Sequence, residues 1–331
     1  MINNKRIRYY AGKTAILVLS IFALSVMVFA ISRLTPMDPL YSYYGDRTEK
    51  MTVQEKEEAR EKLGLNDSIA VQYVRWIEGA LTGDLGISYK YKRPVTEVTS
   101  GRLVNTLALG GLGFVLIFAL ALAIGMFCAR KEGRPADRII CRMGTFSGCV
   151  PEFWLALLLI FLFSVTWHIF PSSNAYSAGG GSLFDRLHHL VLPLIVVVVS
   201  HLWYYAYMIR NMLLEETRAD YVILYKSLGL TDREIMRRHC LRNIMPELIS
   251  VMAISVSHIL GGTYIVEMVF SYPGIGTLCY ESARYSDYNL LMYLCMLTGG
   301  IVILLNIAGQ IISERIDPRV RAEEAGKEVR P

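Results

Sequence analysis

Six runs of mainly apolar residues, each long enough to cross a lipid bilayer, constrain the fold of this 331-residue chain more than any other feature. A helix needs about 20 such residues to span the hydrocarbon core. The chain is 53% hydrophobic and only 19% charged, whereas soluble domains carry about 25% charged residues. The runs cover residues 14–31, 103–129, 145–170, 190–209, 248–270 and 290–312. They predict an all-α integral membrane protein with six transmembrane helices.

The first run also resembles the apolar part of a signal peptide, because Lys5, Arg6 and Arg8 form a basic segment before it. However, the run is longer than the apolar region of a usual signal peptide, and no convincing A-x-A cleavage site follows it. We therefore interpret it as a retained span.

Lysine and arginine are concentrated before the first run and in the connections after the second and fourth runs. Short loops rich in these residues stay in the cytoplasm, so both termini are predicted to be cytoplasmic. The net charge of +5 is then a sum over two sides of a membrane and does not indicate a nucleic-acid partner. The predicted layout is a cytoplasmic N-terminus and first span at 1–33, an external helical insertion at 34–102, a transmembrane core at 103–313 that includes a cytoplasmic loop at 214–246, and a cytoplasmic tail at 314–331.

Two helices are predicted within the external insertion. Thr52 and Glu55 have the spacing of a capping box, in which each side chain accepts a hydrogen bond from the backbone of the other residue. They predict a helix over 52–63 that ends at Gly64. A second helix is predicted over 68–81.

No motif for nucleotide or metal chemistry is complete in this sequence. Residues 12–14 read Gly-Lys-Thr, but the upstream glycine of a phosphate-binding loop is missing. The six cysteines contain no CxxC pair, which argues against a zinc site or a disulfide scaffold. His188 and His189, with His168 at the end of the third run, could bind a metal ion, although interfacial histidines explain them adequately. We therefore expect no catalytic site, no metal site and no cofactor on this chain.

Ionisable residues inside apolar runs indicate a transport path or a relay, since a charge in the bilayer is costly. His201, His258 and Glu267 lie in the fourth and fifth runs, and Glu152 lies near the start of the third. The candidate path residues are His201, Tyr204, His258 and Glu267, while the aromatic cluster around His201 is equally typical of an interfacial belt. A proton-coupled secondary transporter that uses His258 and Glu267 is the alternative function.

The segment 214–246 is the most informative part of the sequence. An amphipathic helix is predicted to end at Gly229, and Thr231 with Glu234 three residues later predicts the start of a second helix. A solvated basic loop would not need the apolar stripe that is present here at helical spacing. The stripe consists of Tyr221, Val222, Leu224, Tyr225 and Leu228. It favours contact with an apolar groove on a partner.

This segment resembles the EAA coupling loop of the inner-membrane permeases of peptide and nickel ABC importers. The matching residues are Ala219, Asp220 and Tyr221, then Gly229, then His239, Leu241, Arg242, Asn243 and Pro246. Further matches to this family follow in its order at residues 35–39, 83–88, 93–95, 266–276 and 317–319. The departures are Met37 in place of a glycine, bulky residues at 223–225, a proline one residue early at 246, and the absence of the usual Arg and Pro at 286–289.

The resemblance implies a type I ABC importer permease fold in a bacterial or archaeal plasma membrane, surrounded by membrane lipid. It also implies a second homologous permease subunit, two ABC ATPase subunits that bind ATP and Mg, and an external binding protein that delivers peptides, peptide-like compounds or nickel complexes. ATP hydrolysis would occur on the separate ATPase chains, so this chain would be a transport subunit and not an enzyme. The residues that the resemblance assigns to ATPase coupling are Ala219, Asp220, Tyr221, Leu224, Tyr225, Gly229, His239, Arg242, Asn243 and Pro246.

Overall fold

The structure, a computed structural model, describes residues 2–34, 39–178 and 181–316. In these ranges the regular secondary structure is helical, apart from one isolated bridge between Ile87 and Pro94. The helices are α1 (Ile2–Leu34), α2 (Pro39–Tyr44), α3 (Arg47–Lys50), α4 (Val53–Lys62), α5 (Ile69–Thr82), α6 (Val95–Arg130), α7 (Pro135–Ser147), α8 (Glu152–Leu159), α9 (Leu183–Thr217), α10 (Asp220–Ser227), α11 (Asp232–Ile235), α12 (Leu241–Val269), α13 (Ile275–Arg284) and α14 (Tyr288–Ile316). The predicted all-α fold is confirmed. Residues 35–38 of the predicted 35–39 motif, and the whole motif at 317–319, lie outside the described residues.

Within the described ranges, five helices are long and apolar enough to cross a membrane, and each overlaps one of the predicted runs. They are Ala11–Arg33 within α1, Val95–Arg130, Leu183–Thr217, Asp232–Val269 and Tyr288–Ile316. The second begins eight residues before the predicted run, directly after Pro94. The fourth includes a short π-helical segment, Met236–Cys240, before α12.

The third run forms a bent helix pair, so the prediction of one continuous helix over 145–170 is wrong. Helix α7 ends at Ser147, and the chain resumes as α8 (Glu152–Leu159) and a π-helical segment (Ile160–Thr166), at 103° to α7. Pro151 has no backbone N–H and disfavours the helical conformation in the residue before it. The helix is interrupted at residues 148–151, directly before and at this proline. Six spans result when the bent pair is counted as one.

The chain forms two compact units, and the larger contains residues 106–273 together with α14 from Leu305 onward. In this second unit, α9 packs against α7, α8 and α12. Helix α6 approaches α9 closely because Gly113 has no side chain, and a Cβ added there would lie 3.0 Å from Val197 Cγ1. The buried core includes Val196, Val197, Ile209, Leu213, Ile244 and Ile259.

The first unit contains residues 1–105 and 274–304, and both helices predicted in its insertion are confirmed. Thr52 caps α4 through a complete capping box, with the Thr52 N–H 2.7 Å from Glu55 Oε2 and the Glu55 N–H 3.3 Å from Thr52 Oγ1. The Ser68 side chain caps α5 by accepting one hydrogen bond, from the Val71 N–H. The hydroxyls of Ser25 and Tyr73 lie 2.7 Å apart and connect α1 to α5.

Two sequence motifs of the first unit meet around Asp287, which is 1% exposed. The Ser88 hydroxyl and the Lys90 backbone N–H donate to its carboxylate, the latter at 3.1 Å. The Asn289 amide donates to the Ile87 carbonyl at 3.0 Å. The 286–289 segment therefore anchors the 83–95 segment even without the Arg and Pro that the permeases it resembles usually have there.

Glu281 on α13 should make the first unit sensitive to acid. Burial opposes ionisation of this carboxyl, but hydrogen bonds from Lys90 Nζ at 2.8 Å and from the Tyr91 hydroxyl outweigh it and hold the pKa below its usual 4.5. A lowered folded-state pKa stabilises the fold above the unfolded-state value, and this contribution is lost as the pH falls through the folded-state value. In thermal unfolding we expect Glu281→Gln to destabilise the protein at pH 7, and this effect to disappear as the pH falls through the lowered folded-state pKa.

Glu97→Gln is the matched control for this pH series. Its partner Arg93 lies 3.6 Å away and both side chains are exposed, so the variant should change the unfolding midpoint little at either pH. An effect of Glu281→Gln that is equally large at neutral and acidic pH would contradict the assignment.

Candidate functional site

The predicted helix, glycine break and second helix in the 214–246 segment are confirmed. Helix α10 ends before Gly229, whose φ of +83° lies in the left-handed region that favours glycine. The N–H groups of Gly229 and Leu230 donate to the carbonyls of Lys226 and Tyr225, at 3.0 and 3.1 Å. Thr231 then forms a complete capping box with Glu234 and starts α11. The glycine therefore reverses the chain between two short helices.

One side of α10 packs onto the core of the second unit. Val222 is 4% exposed, and Tyr221 and Tyr225 pack partly buried beside it. The Tyr225 ring stacks on His239 with the ring centroids 3.9 Å apart. These contacts hold α10 against the chain that leads into α12.

Glu216, at the end of α9, connects the loop to its neighbours, and sequence reasoning did not single it out. Its carboxylate accepts hydrogen bonds from the Tyr221 hydroxyl and, at 3.0 Å, from Asn243 Nδ2. Burial and the bond to Glu216 raise the pKa of Tyr221, so this hydroxyl stays a donor at neutral pH. Tyr221, His239 and Asn243, predicted as coupling residues, thus hold α10 in place through contacts on its packed side.

The other side of α10 is exposed and apolar. Ile223, Leu224 and Leu228, which we term the outer face of α10, are 69%, 58% and 65% exposed. The predicted stripe is therefore divided between two sides of the helix, and only Leu224 and Leu228 of its five members belong to the outer face. Exposed large apolar side chains in a group indicate an interaction site.

The remaining predicted coupling residues lie at the edges of this loop. Ala219 is the N-cap of α10 and Asp220 is exposed in its first turn, where a negative charge is favourable. Arg242 is exposed, whereas Pro246 is buried inside α12. The Pro246 carbonyl accepts a hydrogen bond at 2.9 Å from the Ser313 hydroxyl of α14.

A buried ion pair fixes α7 to α9, and sequence reasoning missed it. Arg210 binds Asp137 through two bonds, Nε to Oδ1 at 2.6 Å and Nη2 to Oδ2 at 2.7 Å. The Asp137 side chain is 3% exposed and also accepts the Gly133 N–H at 2.9 Å. Two parallel bonds between guanidinium and carboxylate give a geometrically specific contact. The sequence feature that could have indicated this pair is Asp137, an acidic residue two positions after Pro135. It lies in a loop whose basic residues served only to predict which side of the membrane the loop is on.

Three spans meet around His201 on α9. His201 Nε2 lies 3.8 Å from Glu152 Oε1 of α8, and His201 Nδ1 lies 3.0 Å from the Val197 carbonyl oxygen. Helix α12 passes beside this pair at Gly262, where an added Cβ would lie 2.9 Å from His201 Cε1 and 3.0 Å from Glu152 Oε1. The absence of a side chain at this glycine therefore permits the close approach of α12.

The four candidate path residues do not form one cluster. Glu267 is 0% exposed and accepts a hydrogen bond from Thr106 Oγ1 at 2.6 Å, whereas Tyr204 and His258 are exposed on α9 and α12. His258 and Glu267 are nine residues apart on one helix, which places them on opposite sides and about 13 Å apart along the axis. This arrangement provides no direct proton relay between them.

The histidines at the start of α9 make ordinary contacts with the backbone. His188 Nε2 lies 2.9 Å from the Ile169 carbonyl oxygen, and His189 Nδ1 lies 2.9 Å from that of Asp185. Across the described residues, no group of three His, Cys, Asp or Glu side chains has the arrangement of a metal site.

Comparison with known proteins places this geometry in context. Residues 121–322 match the family model of the binding-protein-dependent transport system inner membrane component, and residues 6–110 match the model of its N-terminal part. The oligopeptide transport system permease protein AppB of Bacillus subtilis is 28% identical over 314 residues, which cover 94% of this chain and 98% of the relative. The metal-staphylopine import system permease protein CntB of Staphylococcus aureus is 26% identical over 315 residues, covering 95% and 98%.

The fold also resembles a solved structure. A chain of the MetNI methionine ABC transporter, in an inward-facing conformation, aligns with a TM-score of 0.55 at 17% sequence identity. The alignment covers 67% of this chain and 97% of that chain. At this identity the likeness concerns the fold alone.

Proposed function

Since the chain belongs to the family of binding-protein-dependent transport system inner membrane components and is a multi-pass permease subunit of an ABC importer, we propose that its 214–246 segment couples the transmembrane helices to a separate ATPase. The observation that carries this proposal is the outer face of α10. Three large apolar side chains there point away from the core on a short helix whose opposite side is firmly packed. An apolar groove on an ATPase subunit would bury them.

The inner contacts of α10 suggest how a movement would be transmitted. Glu216 belongs to α9 and Asn243 belongs to α12. The Tyr221 hydroxyl of α10 and Asn243 Nδ2 both donate hydrogen bonds to the Glu216 carboxylate. A displacement of α10 would therefore act on two spans at once. ATP binding and hydrolysis on the partner would shift these spans between two arrangements, which is the basis of alternating access.

We propose an assembly with a second homologous permease subunit, two ATPase subunits that bind ATP and Mg, and an external binding protein. In this arrangement both termini are cytoplasmic and the insertion at 34–102 is external. Tyr204 and His258, exposed on α9 and α12, would face the second permease and line a path between the subunits. His201 and Glu267 would support that path from inside the chain.

The substrate is proposed to be a peptide or a small metal complex. Support comes from the two relatives, one named for oligopeptide transport and the other for metal-staphylopine import. The alignments with these two relatives cover nearly the same share of this chain, so the extent of the alignment does not favour either substrate class. The external binding protein would select between them before the permease is reached.

The test removes the apolar character of the outer face. Replacing Ile223 and Leu224 together with aspartate should reduce the ATPase activity that the binding protein stimulates in the assembled complex by about tenfold or more. Burial of one such side chain contributes about 1.5–3 kcal/mol, and about 1.4 kcal/mol corresponds to a factor of ten in binding. Because both residues point away from the core, the unfolding midpoint of the isolated chain should change little.

Val53→Asp is the matched control, since Val53 is 87% exposed on α4 and lies in the other unit. It should leave both the stimulated ATPase activity and substrate uptake unchanged. Normal stimulation in the Ile223/Leu224 double variant would show that the outer face does not dock on the ATPase.

A further inference from the structure

A cavity of about 520 Å³ lies within the first unit, between the end of α1, the α4–α5 pair and the start of α14. Aromatic rings of Phe29, Trp76 and Tyr288 line part of its wall. A cavity of this size is large enough to hold a small polar group with several non-hydrogen atoms. The proposed transport mechanism does not use it.

The lining of this cavity carries an excess of positive charge. Arg33, Lys62 and Arg75 line it together with one carboxylate, Asp84. Arg75 is paired with Asp67 at 2.8 Å. Arg33 instead lies over two rings, 5.2 Å from the centroid of Phe29 and 5.6 Å from that of Tyr288. Among the described residues, no carboxylate forms an ion pair with Arg33 or Lys62.

Two buried polar atoms in the lining residues have no hydrogen-bond partner. One is the donor Arg33 Nε and the other is the acceptor Gln72 Oε1. The orientation of the Gln72 amide is fixed, because its Nε2 donates to the carbonyls of Leu65 at 3.3 Å and Asp67 at 2.8 Å. A buried polar atom without a partner destabilises the fold, so a ligand that supplies both an acceptor and a donor would be stabilised here.

The position of the cavity indicates where such a ligand comes from. The apolar span of α1 ends at Arg33, so this residue lies at the depth of the lipid headgroups. Below it, α1 exposes a continuous series of apolar side chains along which acyl chains can lie. They are Ile16, Leu19, Phe22, Val26, Met27 and Ile31. Basic pockets beside membrane helices recognise lipid headgroup phosphates.

We propose that this cavity binds the headgroup of a glycerophospholipid. The phosphate interacts with Arg33 and Lys62, and a headgroup hydroxyl or ammonium group donates to Gln72 Oε1. The lipid then connects α1 to the insertion helices and to α14, and it stabilises the first unit. This site is independent of ATPase coupling, so its test does not depend on the proposed function.

Native mass spectrometry of the full chain in detergent, titrated with dioleoylphosphatidylglycerol, tests the site. Arg33→Gln should weaken lipid retention about tenfold, because a charge-assisted hydrogen bond to the phosphate is lost. Lys50→Gln is the matched control, since Lys50 is an exposed cation of the same unit that does not line the cavity. It should bind the lipid as the unaltered chain does.

Two further measurements distinguish the contribution of the headgroup donor from that of the acyl chains. Dioleoylphosphatidylcholine has the phosphate but neither a headgroup donor nor a net negative charge, so it should bind more weakly than phosphatidylglycerol, and Gln72→Leu should reduce that difference. This comparison stands even if Arg33→Gln does not fold. Soluble glycerophosphoglycerol should bind far more weakly than the lipid; equal, Arg33-dependent binding would overturn the lipid assignment in favour of a free phosphate ester. Unchanged lipid retention in both Arg33→Gln and Gln72→Leu would overturn the site itself.

Discussion

Replacing Arg210 with alanine should lower the free energy of unfolding by about 3–5 kcal/mol, because it leaves the Asp137 carboxylate buried without its counter-charge. Among the residues that the structure describes, the partners left to that carboxylate would be the Gly133 N–H and the Cys141 thiol. The expected result is a lower unfolding midpoint of the purified chain in detergent. Removing the charge as well, with Asp137→Asn in the Arg210→Ala background, should recover part of the loss.

Arg218→Ala is the matched control for this ion pair. Arg218 pairs with Glu132 at 2.7 Å on the same side of the second unit, but the two side chains are 70% and 47% exposed. An exposed pair contributes about 0–1 kcal/mol, so this variant should unfold almost as the unaltered chain does. Equal losses from both variants would mean that burial does not determine the contribution of the Asp137 pair.

Gly262→Leu should prevent α12 from packing against α8 and α9 and should abolish transport. Even the first atom of a side chain would lie 2.9–3.1 Å from His201 and both carboxylate oxygens of Glu152, and the rest of a leucine has no space between the helices. Gly262→Ala, with that first atom alone, should cost about 1–3 kcal/mol through overpacking. The measurements are substrate uptake by the assembled complex and thermal unfolding of the chain.

The neighbouring glycine provides the control for this position. Gly261 is exposed and has nothing within 4 Å of an added Cβ, so Gly261→Ala should be neutral for stability. Glu152→Ala should reduce the cost of Gly262→Ala, since it removes two of the three nearest atoms. If the cost is the same in both backgrounds, the contact with Glu152 is not its cause.

Local patterns were sufficient to predict where the short capped helices of this chain begin. Thr52 with Glu55 and Thr231 with Glu234 each satisfy backbone groups within four residues, and such bonds do not depend on the rest of the fold. The apolar runs were also visible because bilayer thickness sets their length. The prediction of one continuous helix for the third run failed because hydropathy contains no information on the direction of the chain. The helix changes direction at Pro151, where the composition remains apolar.

The candidate site was predictable as a segment but not as a surface. The apolar stripe of α10 was found, yet its division depends on the Tyr225–His239 stack and on the bonds to Glu216, which connect residues distant in sequence. The Asp137–Arg210 pair joins residues 73 positions apart, and nothing in either local sequence selects this partner. Long-range pairs of this kind are set by tertiary packing, which one sequence without a structure does not display.

The bend at residues 148–151 has a consequence for the surrounding lipid. The helix that follows it contains only the 15 residues of Glu152–Thr166, about 22 Å in length, whereas the hydrocarbon core is about 30 Å thick. Trp154 and Trp167, both more than half exposed, mark its ends in the way that tryptophans mark membrane interfaces. The resulting hydrophobic mismatch would thin the bilayer on this side and enrich it in short-chain lipids.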